Sequence, residues 1–411
     1  MGRPKIRFEG YSEDWEQRKL IDYLEVSSEK NRDNRFTKED VLSVSGEYGI
    51  VNQIEFQGRS FAGASVSNYG VVENGDVVYT KSPLKSNPYG IIKTNKGIPG
   101  IVSTLYAVYK PKEITDSKFV QIYFELDSRM NSYMHPLVNK GAKNDMKVSA
   151  ENALKGMVSF PKKDEQEMIS LYFSTLDNLI TLHQRKYDET KTLKKYMLQK
   201  MFPQNGEKVP EIRFDGFTED WEQRKLGNIT VKIGSGKTPS GGKSAYVETG
   251  IPLIRSQNVN GDKVDFADIV FVDETTDESM ANSRVYTNDV LLNITGASIG
   301  RSAVYKGLES ANVNQHVCII RPTEGYQPDF IQLNLSSDNG QKQIDASQAG
   351  GGREGLNFQE IGKMQFCFPS LNEQKCIGRY FNSLDHFITL HQRKCNELKE
   401  IKKYMLQNMF V

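Results

Sequence analysis

A long internal repeat limits the fold of this chain more than any other feature of its sequence. Residues 176–202 read LDNLITLHQRKYDETKTLKKYMLQKMF, and residues 384–410 read LDHFITLHQRKCNELKEIKKYMLQNMF, at an offset of 208. A second pair precedes them, because IRFEGYSEDWEQRKL at 6–20 returns as IRFDGFTEDWEQRKL at 212–226. Similarity of this kind indicates a duplicated structural unit. We therefore expect two copies of one unit.

Both copies of the longer repeat predict a helix with a narrow stripe along one face. The stripe residues recur alternately three and four positions apart, which is the spacing of a coiled-coil seam. They are Leu176, Ile180, His183, Tyr187, Thr190, Lys194, Met197 and Met201, and then Leu384, Ile388, His391, Cys395, Leu398, Lys402, Met405 and Met409. Polar members of a seam restrict its register, so the expected partner of each helix is the other copy.

The helix ends can also be read from the sequence. Asp164 and Asn372 occupy matching positions and are candidate N-caps, and Pro203 ends the first helix. About 39 residues at roughly 1.5 Å each predict a rod of about 58 Å. Such a rod is suited to be a spacer.

Composition excludes several classes of protein. The 53 basic residues nearly balance the 52 acidic ones, so only a local patch could attract nucleic acid. The four cysteines (Cys318, Cys367, Cys376, Cys395) form no CxxC pair, which argues against a zinc site and a disulfide framework. No apolar run approaches the ~18 residues that span a bilayer, and no signal-peptide pattern is present. We expect a soluble, cytoplasmic protein without a membrane partner.

The regions between the repeats differ from each other. In the first, runs such as GDVVYT and GIVSTLYAVYK predict a mixed domain dominated by strands. In the second, GSGKTPSGGKS, IPLIRSQNVN and NDVLLNITGASIGRSAVY have no clear counterpart, apart from a faint echo of GDVVYT in NDVLLN. A repeated frame that carries two different inserts predicts two different recognition surfaces.

Some features permit two interpretations. Lysines without acids between Val77 and Lys112 alternate with tyrosines, which suits phosphate and base contact, although such clusters are more often solvated faces. Glycines 350–352 beside Arg353 suit either a phosphate or a surface loop without a ligand. Two roles fit Trp15 and Trp221: each fills the core of its own domain, or each is part of a docking site for a second protein.

No catalytic constellation is present in the sequence. Residues 237–244, KTPSGGKS, lack the first glycine of a P-loop. Asn87-Pro88-Tyr89 matches only part of the loop of amino-methyltransferases, and His135 and His316 stand alone. An independent NTPase or methyltransferase is therefore not expected. A non-catalytic scaffold, with a coiled coil and two peptide- or protein-binding domains, remains an alternative.

The order of these features resembles the DNA specificity subunit of type I restriction-modification systems. The resemblance is carried by the Phe-Pro-x-x-x-Glu-Gln motif before each long helix, with Glu165-Gln166 and Glu373-Gln374, and by GKTPSGG, IPLIRSQNVNG and NDVLLNITGASIGRSAVY. It implies an α+β fold in which two mixed α/β target recognition domains are separated by two long antiparallel coiled-coil helices with a pseudo-twofold repeat. The implied limits are 1–163, 164–202, a linker at 203–211, 212–370 and 371–411.

The resemblance also implies a function. Each domain would read one half of a bipartite, asymmetric target in double-stranded DNA, and the chain would direct adenine methylation and restriction by two methyltransferase subunits and by restriction/translocase subunits. The chain itself would be non-catalytic, with S-adenosylmethionine, ATP and Mg²⁺ on the partner subunits only. The first unit departs from the family pattern because NKGAKNDMKVS replaces a Gly-Gly-x-Arg run.

Base contacts are expected from side chains on the domain loops, with Arg or Lys on guanine and Asn or Gln on adenine. The candidates are Lys81, Lys85, Asn87, Lys93, Arg255, Gln257, Asn258, Asn293, Thr295, Arg301 and Arg353. Half-site centres should lie about 34–36 Å apart, so that both domains enter a major groove from one side. Because the net charge is only +1, DNA binding by this chain alone should be weak and strongly salt-dependent.

Overall fold

A computed structural model describes residues 2–81, 87–140, 146–204, 207–348 and 355–411 of the protein. The chain divides into two compact units. Unit 1 comprises residues 1–184 with 392–411, and unit 2 comprises residues 185–391. Each of the two long helices therefore contributes residues to both units.

Unit 1 contains short strands and helices followed by the start of a long helix. The described strands are β1 (Glu16–Lys19), β2 (Leu24–Val26), β3 (Leu42–Ser45), β4 (Gly49–Asn52), β5 (Gly70–Val72), β6 (Val77–Thr80), β7 (Ile92–Thr94), β8 (Gly100–Val102), β9 (Tyr106–Pro111), β10 (Asn139–Lys140), β11 (Met146–Lys147) and β12 (Met157–Phe160). The helices are α1 (Gln53–Gln57), α2 (Ser117–Tyr123), α3 (Asp127–Met134), α4 (Ala150–Ala153) and α5 (Lys163–Lys200).

The main sheet of unit 1 has four antiparallel strands in the order β2-β9-β6-β7. All four residues of β6 are buried, as expected for a central strand with both faces covered. Helix α2 packs on this sheet, and Thr94 Oγ1 donates a hydrogen bond of 2.6 Å to the Ser117 carbonyl oxygen. The core of unit 1 lies between this sheet and the helices.

Unit 2 has a similar composition of elements. Its described strands are β13 (Glu222–Lys225), β14 (Thr230–Ser235), β15 (Ile251–Ile254), β16 (Val259–Asn260), β17 (Lys263–Val264), β18 (Val270–Val272), β19 (Arg284–Val285), β20 (Val290–Asn293), β21 (Ser302–Val304), β22 (Ala311–Val313), β23 (Val317–Pro322) and β24 (Gln365–Phe368). The helices are α6 (Glu274–Ser279), α7 (Pro328–Ser336), α8 (Asp338–Gln348), α9 (Phe358–Lys363) and α10 (Leu371–Asn408).

The main sheet of unit 2 repeats the strand order of unit 1, as β14-β23-β20-β21. The turn before the central strand is also the same. Asp76 accepts a hydrogen bond of 2.9 Å from the Glu73 backbone N–H, and Asp289 accepts one of 2.7 Å from the Tyr286 backbone N–H. The intervening residues Gly75 and Asn288 both have positive φ, at 91° and 75°. The weak similarity between GDVVYT and NDVLLN therefore marks equivalent strands, although the two inserts otherwise differ in sequence.

Unit 2 also contains a second four-stranded sheet, β18-β15-β22-β19, in which β15 and β22 run parallel. The described part of unit 1 has only two-stranded sheets beside its main sheet, namely β1-β12, β3-β4, β5-β8 and β10-β11. The two inserts therefore share a central sheet and differ around it.

The Glu-Gln pair of the repeated motif fastens each long helix to its own unit. Glu165 accepts two hydrogen bonds of 2.7 Å from the Arg7 guanidinium, and Glu373 accepts bonds of 2.7 and 2.8 Å from Arg213. Both carboxylates are buried. The Arg comes from the repeated Ile-Arg-Phe segment, so this bidentate pair explains why the two motifs are duplicated together.

The glutamine beside each glutamate bonds to backbone groups. Gln166 Nε2 donates to the Pro161 carbonyl oxygen at 2.9 Å, and Gln374 Nε2 donates to that of Pro369 at 2.8 Å. Each Phe-Pro pair follows a strand, β12 or β24, that pairs with the DWEQRKL segment. Gln166 and Gln374 therefore join the end of that strand to the first turn of the helix.

The tryptophans and the helix ends complete the two cores. Trp15 and Trp221 are 2% and 1% exposed, which agrees with a packing role. Phe410 packs beside Trp15 in unit 1, with ring centroids 6.1 Å apart, and Phe202 packs beside Trp221 in unit 2, at 6.2 Å. Each long helix thus places its closing aromatic residue in the core of one unit.

The predicted N-caps, Asp164 and Asn372, lie two positions after the residues that directly precede the two long helices. Helices α5 and α10 begin at Lys163 and Leu371, so Asp164 and Asn372 lie in the first turn. In α10, Ser370 Oγ accepts a hydrogen bond of 3.4 Å from the Glu373 backbone N–H. Ser370 directly precedes α10 and has the short side chain that an N-cap requires.

Among the residues that the structure describes, no helix is long and apolar enough to cross a membrane.

Candidate nucleic-acid interface

In unit 2, the candidate residues cluster where the central strand β20 ends. The Ile294 backbone N–H donates a hydrogen bond of 3.0 Å to the carbonyl oxygen of His316, in the turn between β22 and β23. The loop after β20 and this turn therefore lie side by side. Arg301, which ends the loop, is exposed.

A chain of polar side chains runs across these loops. Thr295 Oγ1 lies 2.6 Å from His316 Nδ1, and Gln315 Nε2 lies 3.0 Å from His316 Nε2. The Thr238 hydroxyl donates to Gln315 Oε1. Both ring nitrogens of His316 therefore have a polar partner on a neighbouring side chain. Three separate loops of unit 2 are joined at this surface.

Gly236 permits this close approach of the third loop. A Cβ atom at Gly236 would lie 1.7 Å from the Val313 carbonyl oxygen. A side chain at that position is therefore excluded unless the backbone shifts. The GSGKTPSGG segment thus has a packing reason for one of its glycines, and it places the exposed Lys237 beside the β22–β23 turn.

A second group follows β15. Arg255 Nη2 donates to the Asp268 carbonyl oxygen at 2.6 Å and to its carboxylate at 3.3 Å, and Gln257 Nε2 also donates to that carboxylate. Gln257 is exposed, and Arg255 is half-buried. Asp268 therefore fixes the direction of two candidate side chains at the surface.

Asn258 and Asn293 have a different role in this structure. They are 2% and 0% exposed. Asn258 Nδ2 donates to the Asp265 carbonyl oxygen at 3.1 Å, and Asn293 Nδ2 donates to the Ser256 carbonyl oxygen at 2.8 Å. Both amides hold the loops in place from below, because a buried side chain bonded to backbone carbonyls does not reach a base edge without rearrangement.

Unit 1 has the same arrangement of two loops with different side chains. After β6, the Lys81 backbone N–H donates a hydrogen bond of 3.1 Å to the Leu105 carbonyl oxygen, in the turn between β8 and β9. Lys81 Nζ also donates to the Thr104 carbonyl oxygen at 3.3 Å. Burial and the neighbouring Lys30 lower the pKa of Lys81. Lys81 corresponds in position to Ile294, and Leu105 to His316.

The remaining candidates of unit 1 divide into three cases. Asn87 is buried, and its Nδ2 donates to Asp127 Oδ1 at 2.8 Å. Lys93 lies within β7 at 9% exposure, and burial is the main cause that lowers the pKa of its ammonium group. In this structure Lys93 is therefore part of the sheet and not of the exposed loop surface. Lys85, and Arg353 in unit 2, lie outside the residues that the structure describes.

The turn residues Thr104, Gln315 and His316 are not among the binding candidates that the sequence indicates. In the sequence His316 is an isolated imidazole, and nothing distinguishes Gln315 or Thr104 from other polar residues. The sequence does mark the positions of these two turns. The turn in unit 1 precedes a strand that ends in Lys110-Pro111, and the turn in unit 2 precedes a strand that ends in Arg321-Pro322. That correspondence becomes visible only after the strands have been aligned through the sheet order.

The predicted seam residues lie on the less exposed side of their helices. All are buried or half-buried: Leu176, Ile180, His183, Tyr187, Met197, Leu384, Ile388, His391, Cys395 and Met405. Within unit 1, Cys395 Sγ lies 4.0 Å from the Ile180 carbonyl oxygen, and Lys402 Nζ donates to Asp177 at 2.7 Å. Within unit 2, Lys194 Nζ donates to Asp385 at 2.6 Å.

Comparison with known proteins agrees with this arrangement. Residues 218–400 match the family model described as type I restriction modification DNA specificity domain. This part of the chain is therefore similar to type I restriction modification DNA specificity domains. Among the residues that the structure describes, no group of His, Cys, Asp and Glu suited to a metal ion is found.

The similar proteins described next cover between 78% and 100% of this chain. The type I restriction enzyme MjaVIII specificity subunit of Methanocaldococcus jannaschii is 22% identical over 78% of this chain and 75% of its own length. A putative MjaX specificity subunit of the same organism is 21% identical over 96% of this chain and 92% of its own. The crystal structure of the S subunit from M. genitalium covers 100% of this chain and 99% of that chain, with a TM-score of 0.61 and 14% identity. This last likeness shows a shared fold.

Proposed function

We propose that this chain is a type I specificity subunit that reads an interrupted, asymmetric DNA target, with one half-site for each unit. The observation that carries the proposal is the pair of loops at the end of the central strand in each unit. The loops share their backbone pairing, through Lys81 and Leu105 in unit 1 and Ile294 and His316 in unit 2, but not their side chains. One frame with unrelated reading side chains suits two unrelated half-sites.

The reading side chains in unit 2 are those that the loops expose. They are Lys237, Gln257, Arg301 and Gln315, with Arg255 and Thr295 half-buried beside them. Amide and guanidinium groups of this kind recognise adenine and guanine in the major groove. Asn258 and Asn293 support the loops from below. In unit 1, Lys81 contributes to the equivalent surface.

The long helices α5 and α10 are proposed to form an antiparallel coiled coil with a pseudo-twofold repeat. Two repeat-related ion pairs support this proposal, Lys402 with Asp177 and Lys194 with Asp385. In each pair one residue comes from α5 and the other from α10. The proposed domain limits are 1–163 and 212–370, with helical segments at 164–202 and 371–411 and a linker at 203–211.

The proposed partners are double-stranded DNA, two methyltransferase subunits and restriction/translocase subunits. The subunit contributes sequence recognition, and the partners bind S-adenosylmethionine, ATP and Mg²⁺. The competing scaffold hypothesis lacks a comparable supporting observation, since a peptide-binding module does not require two reading surfaces on one frame.

Methylation mapping tests this proposal. The chain is co-expressed with the methyltransferase subunit of the same source, in a host that lacks other modification, and methylated adenines are mapped across the genome. We expect one interrupted asymmetric motif. Replacing residues 20–160 with the corresponding region of another specificity subunit should change one half of the motif only. A contiguous motif, or one that is indifferent to the exchange, would contradict the proposal.

A further inference from the structure

Two buried lysines occupy the same position in the repeat and make the same kind of contact. Lys194 and Lys402 lie 208 positions apart, and their side chains are only 12% and 15% exposed. Each Nζ binds the aspartate at one repeated helix position. Lys194 binds Asp385 at 2.6 Å, and Lys402 binds Asp177 at 2.7 Å. This part of the contact follows from the duplication.

Each lysine also binds a second acid, and these acids are not equivalent. Lys402 Nζ donates to Glu125 at 2.6 Å, and Glu125 lies between α2 and α3. Lys194 Nζ donates to Asp262 at 2.9 Å, and Asp262 lies in the turn between β16 and β17 with a φ of 61°. Different elements of the two inserts thus reach the same lysine. We call each lysine with its two acids a lysine clasp.

The unit 2 clasp is also bonded to the helix that covers the sheet. Asp262 Oδ1 accepts hydrogen bonds of 3.0 Å from Gln332 Nε2 and from Ser336 Oγ, both on α7. One carboxylate therefore joins α5, α7 and the β16–β17 turn. A shift of any one of these three elements would break at least one of these bonds.

Both clasps lie close along the chain to the candidate DNA-reading loops. In unit 2, β16 follows directly after the loop that contains Arg255 and Gln257, so Asp262 closes the hairpin that begins at this loop. In unit 1, Asp127, two residues after Glu125, accepts the hydrogen bond of 2.8 Å from Asn87 in the loop after β6. Each second acid thus connects a helix lysine to a reading loop of its own unit.

Each clasp places one ammonium group between two carboxylates. Burial acts to lower the pKa of Lys194 and of Lys402, but the adjacent carboxylates outweigh it and raise both pKa values. Burial raises the pKa of Asp385, while Lys194 opposes that shift. These ion pairs are half-buried, because the side chains of Asp385 and Asp177 are 40% and 42% exposed, so they are expected to add little stability over a hydrocarbon contact. The ion pairs mainly restrict geometry, because the lysine and its acids bond only when the elements that carry them are correctly placed.

We propose that Lys194 and Lys402 are positioning residues, each of which holds the recognition domain of its own unit on the long helices and so orients the loops that read DNA. This inference rests on the function proposed above. It adds a specific consequence, because Lys194 belongs to the first long helix but serves the half-site read by unit 2. Lys402 belongs to the second long helix and serves the half-site read by unit 1.

The test uses Lys194→Met and Lys402→Met in the full chain, co-expressed with the methyltransferase subunit. Methylation is mapped, and for each base of the motif the consensus is compared with its single-base variants. Lys194→Met should lower discrimination in the unit 2 half-site by at least about fivefold, the lower edge of typical coupling between linked sites. Lys402→Met should do the same in the unit 1 half-site only. The domain exchange described above assigns each half-site to its unit.

The repeat supplies matched controls. Lys195 and Lys403 are the exposed neighbours of the two clasp lysines and are also related by the repeat. Lys195→Met and Lys403→Met should leave discrimination in both half-sites unchanged. If Lys194→Met does not accumulate as folded protein, Asp262→Asn replaces it, since this change removes the charge at a partly exposed site and keeps its shape. It should relax the same half-site.

The outcomes separate this inference from the proposed function. If the unaltered chain produces no interrupted motif, the proposed function fails. If the motif is intact but the clasp variants discriminate as well as their controls, only the clasp inference is overturned. Equal loss of methylation at consensus and variant sites, together with a lower melting temperature, would show a purely structural role and would also overturn it.

Discussion

Individual side chains at the candidate interface divide into those that support the loops and those that the loops expose. Asn293 is fully buried, whereas Arg301 at the end of the same loop is exposed. Both side chains can form hydrogen bonds to a base edge, so burial decides which of them can reach DNA. A substitution at each position should therefore produce a different defect.

We predict that Arg301→Ala relaxes specificity at one base of the unit 2 half-site and costs about 1–3 kcal/mol of discrimination there. The reason is the loss of an exposed guanidinium from a reading loop. Arg224→Ala is the control, because Arg224 is exposed on β13, away from the loops, where it pairs with Glu222. Methylation of a library of target variants measures the effect. Equal behaviour of the two variants would contradict the assignment of Arg301.

Cys318 gives a prediction about pH at the residue scale. Burial raises its pKa to about 12, so the thiol is neutral at pH 8. We expect Cys318 to resist alkylation by iodoacetamide in the folded protein at pH 8, while the half-buried Cys376 reacts. Mass spectrometry after a timed exposure measures this, and all four cysteines should react in urea. Alkylation of Cys318 as fast as Cys376 would contradict its buried environment.

The raised pKa of Cys318 also determines the direction of its effect on stability. The folded state favours the neutral thiol, so this residue does not alter the pH dependence of stability below the ordinary pKa of 9.0 for a cysteine. Above that pH the unfolded state gains thiolate and the folded state does not. Stability contributed by this residue is therefore lost as the pH rises from about 9 towards 12.

At the scale of elements, each long helix is fastened at both ends by repeated contacts. Helix α10 begins with the Glu373–Arg213 pair in unit 2 and ends with Phe410 in the core of unit 1. Near that end, Arg129 Nη2 donates a hydrogen bond of 2.8 Å to the Leu406 carbonyl oxygen, which satisfies one of the last carbonyls of the helix. Helix α5 begins in unit 1 and ends with Phe202 in the core of unit 2.

The phenylalanines that follow the two long helices lead to one prediction for each unit. Phe410→Ala should destabilise unit 1, and Phe202→Ala should destabilise unit 2, each by about 3–5 kcal/mol, because each leaves a cavity among aromatic rings. The two tryptophans report the units separately. Trp221→Phe leaves Trp15 to monitor unit 1, and Trp15→Phe leaves Trp221 to monitor unit 2. Fluorescence in increasing urea measures the shift.

Two tyrosines of the repeat provide controls for these variants. Tyr196 and Tyr404 lie on the same helices and are 47% and 57% exposed. Tyr196→Ala and Tyr404→Ala should change stability by about 0.5 kcal/mol or less. If Phe410→Ala shifted the Trp221 signal and left the Trp15 signal unchanged, the placement of the helix end would be wrong.

At the scale of the whole molecule, the distribution of charge determines the strength of the proposed DNA binding. The net charge is +1, and the basic side chains proposed to read DNA, Lys81, Lys237, Arg255 and Arg301, lie on the loops that follow β6, β14, β15 and β20. Local positive charge without a global field implies little long-range attraction to DNA. The partner subunits are expected to supply most of the phosphate neutralisation.

We predict that the isolated subunit binds its target weakly and with a strong dependence on salt. The logarithm of its affinity should fall linearly with the logarithm of salt concentration, by about 0.9 per phosphate neutralised. Adding the methyltransferase subunit should raise the affinity and steepen this slope. Fluorescence anisotropy with a labelled duplex measures both quantities. Sub-nanomolar binding by the isolated chain at physiological salt would contradict the prediction.

Much of the architecture follows from the sequence by itself. The duplication, the two long helices with their stripe, the strands that end in Phe-Pro and the buried tryptophans are all local or repeated patterns, and such patterns appear directly in the order of residues. The Glu-Gln motif could be located in the same way, but its partner Arg7 or Arg213 could not, because the pairs span 158 and 160 residues.

The tertiary structure decided which polar residues face the solvent. Lys93 and Asn293 have the chemistry of DNA-binding residues and are buried, and the equivalence of the two central sheets is hidden by divergent side chains. Only the fold brings Asp262 or Glu125 to a helix lysine. The physical reason is that periodicity records which face of an element is buried, whereas the partner on that face comes from a distant part of the chain.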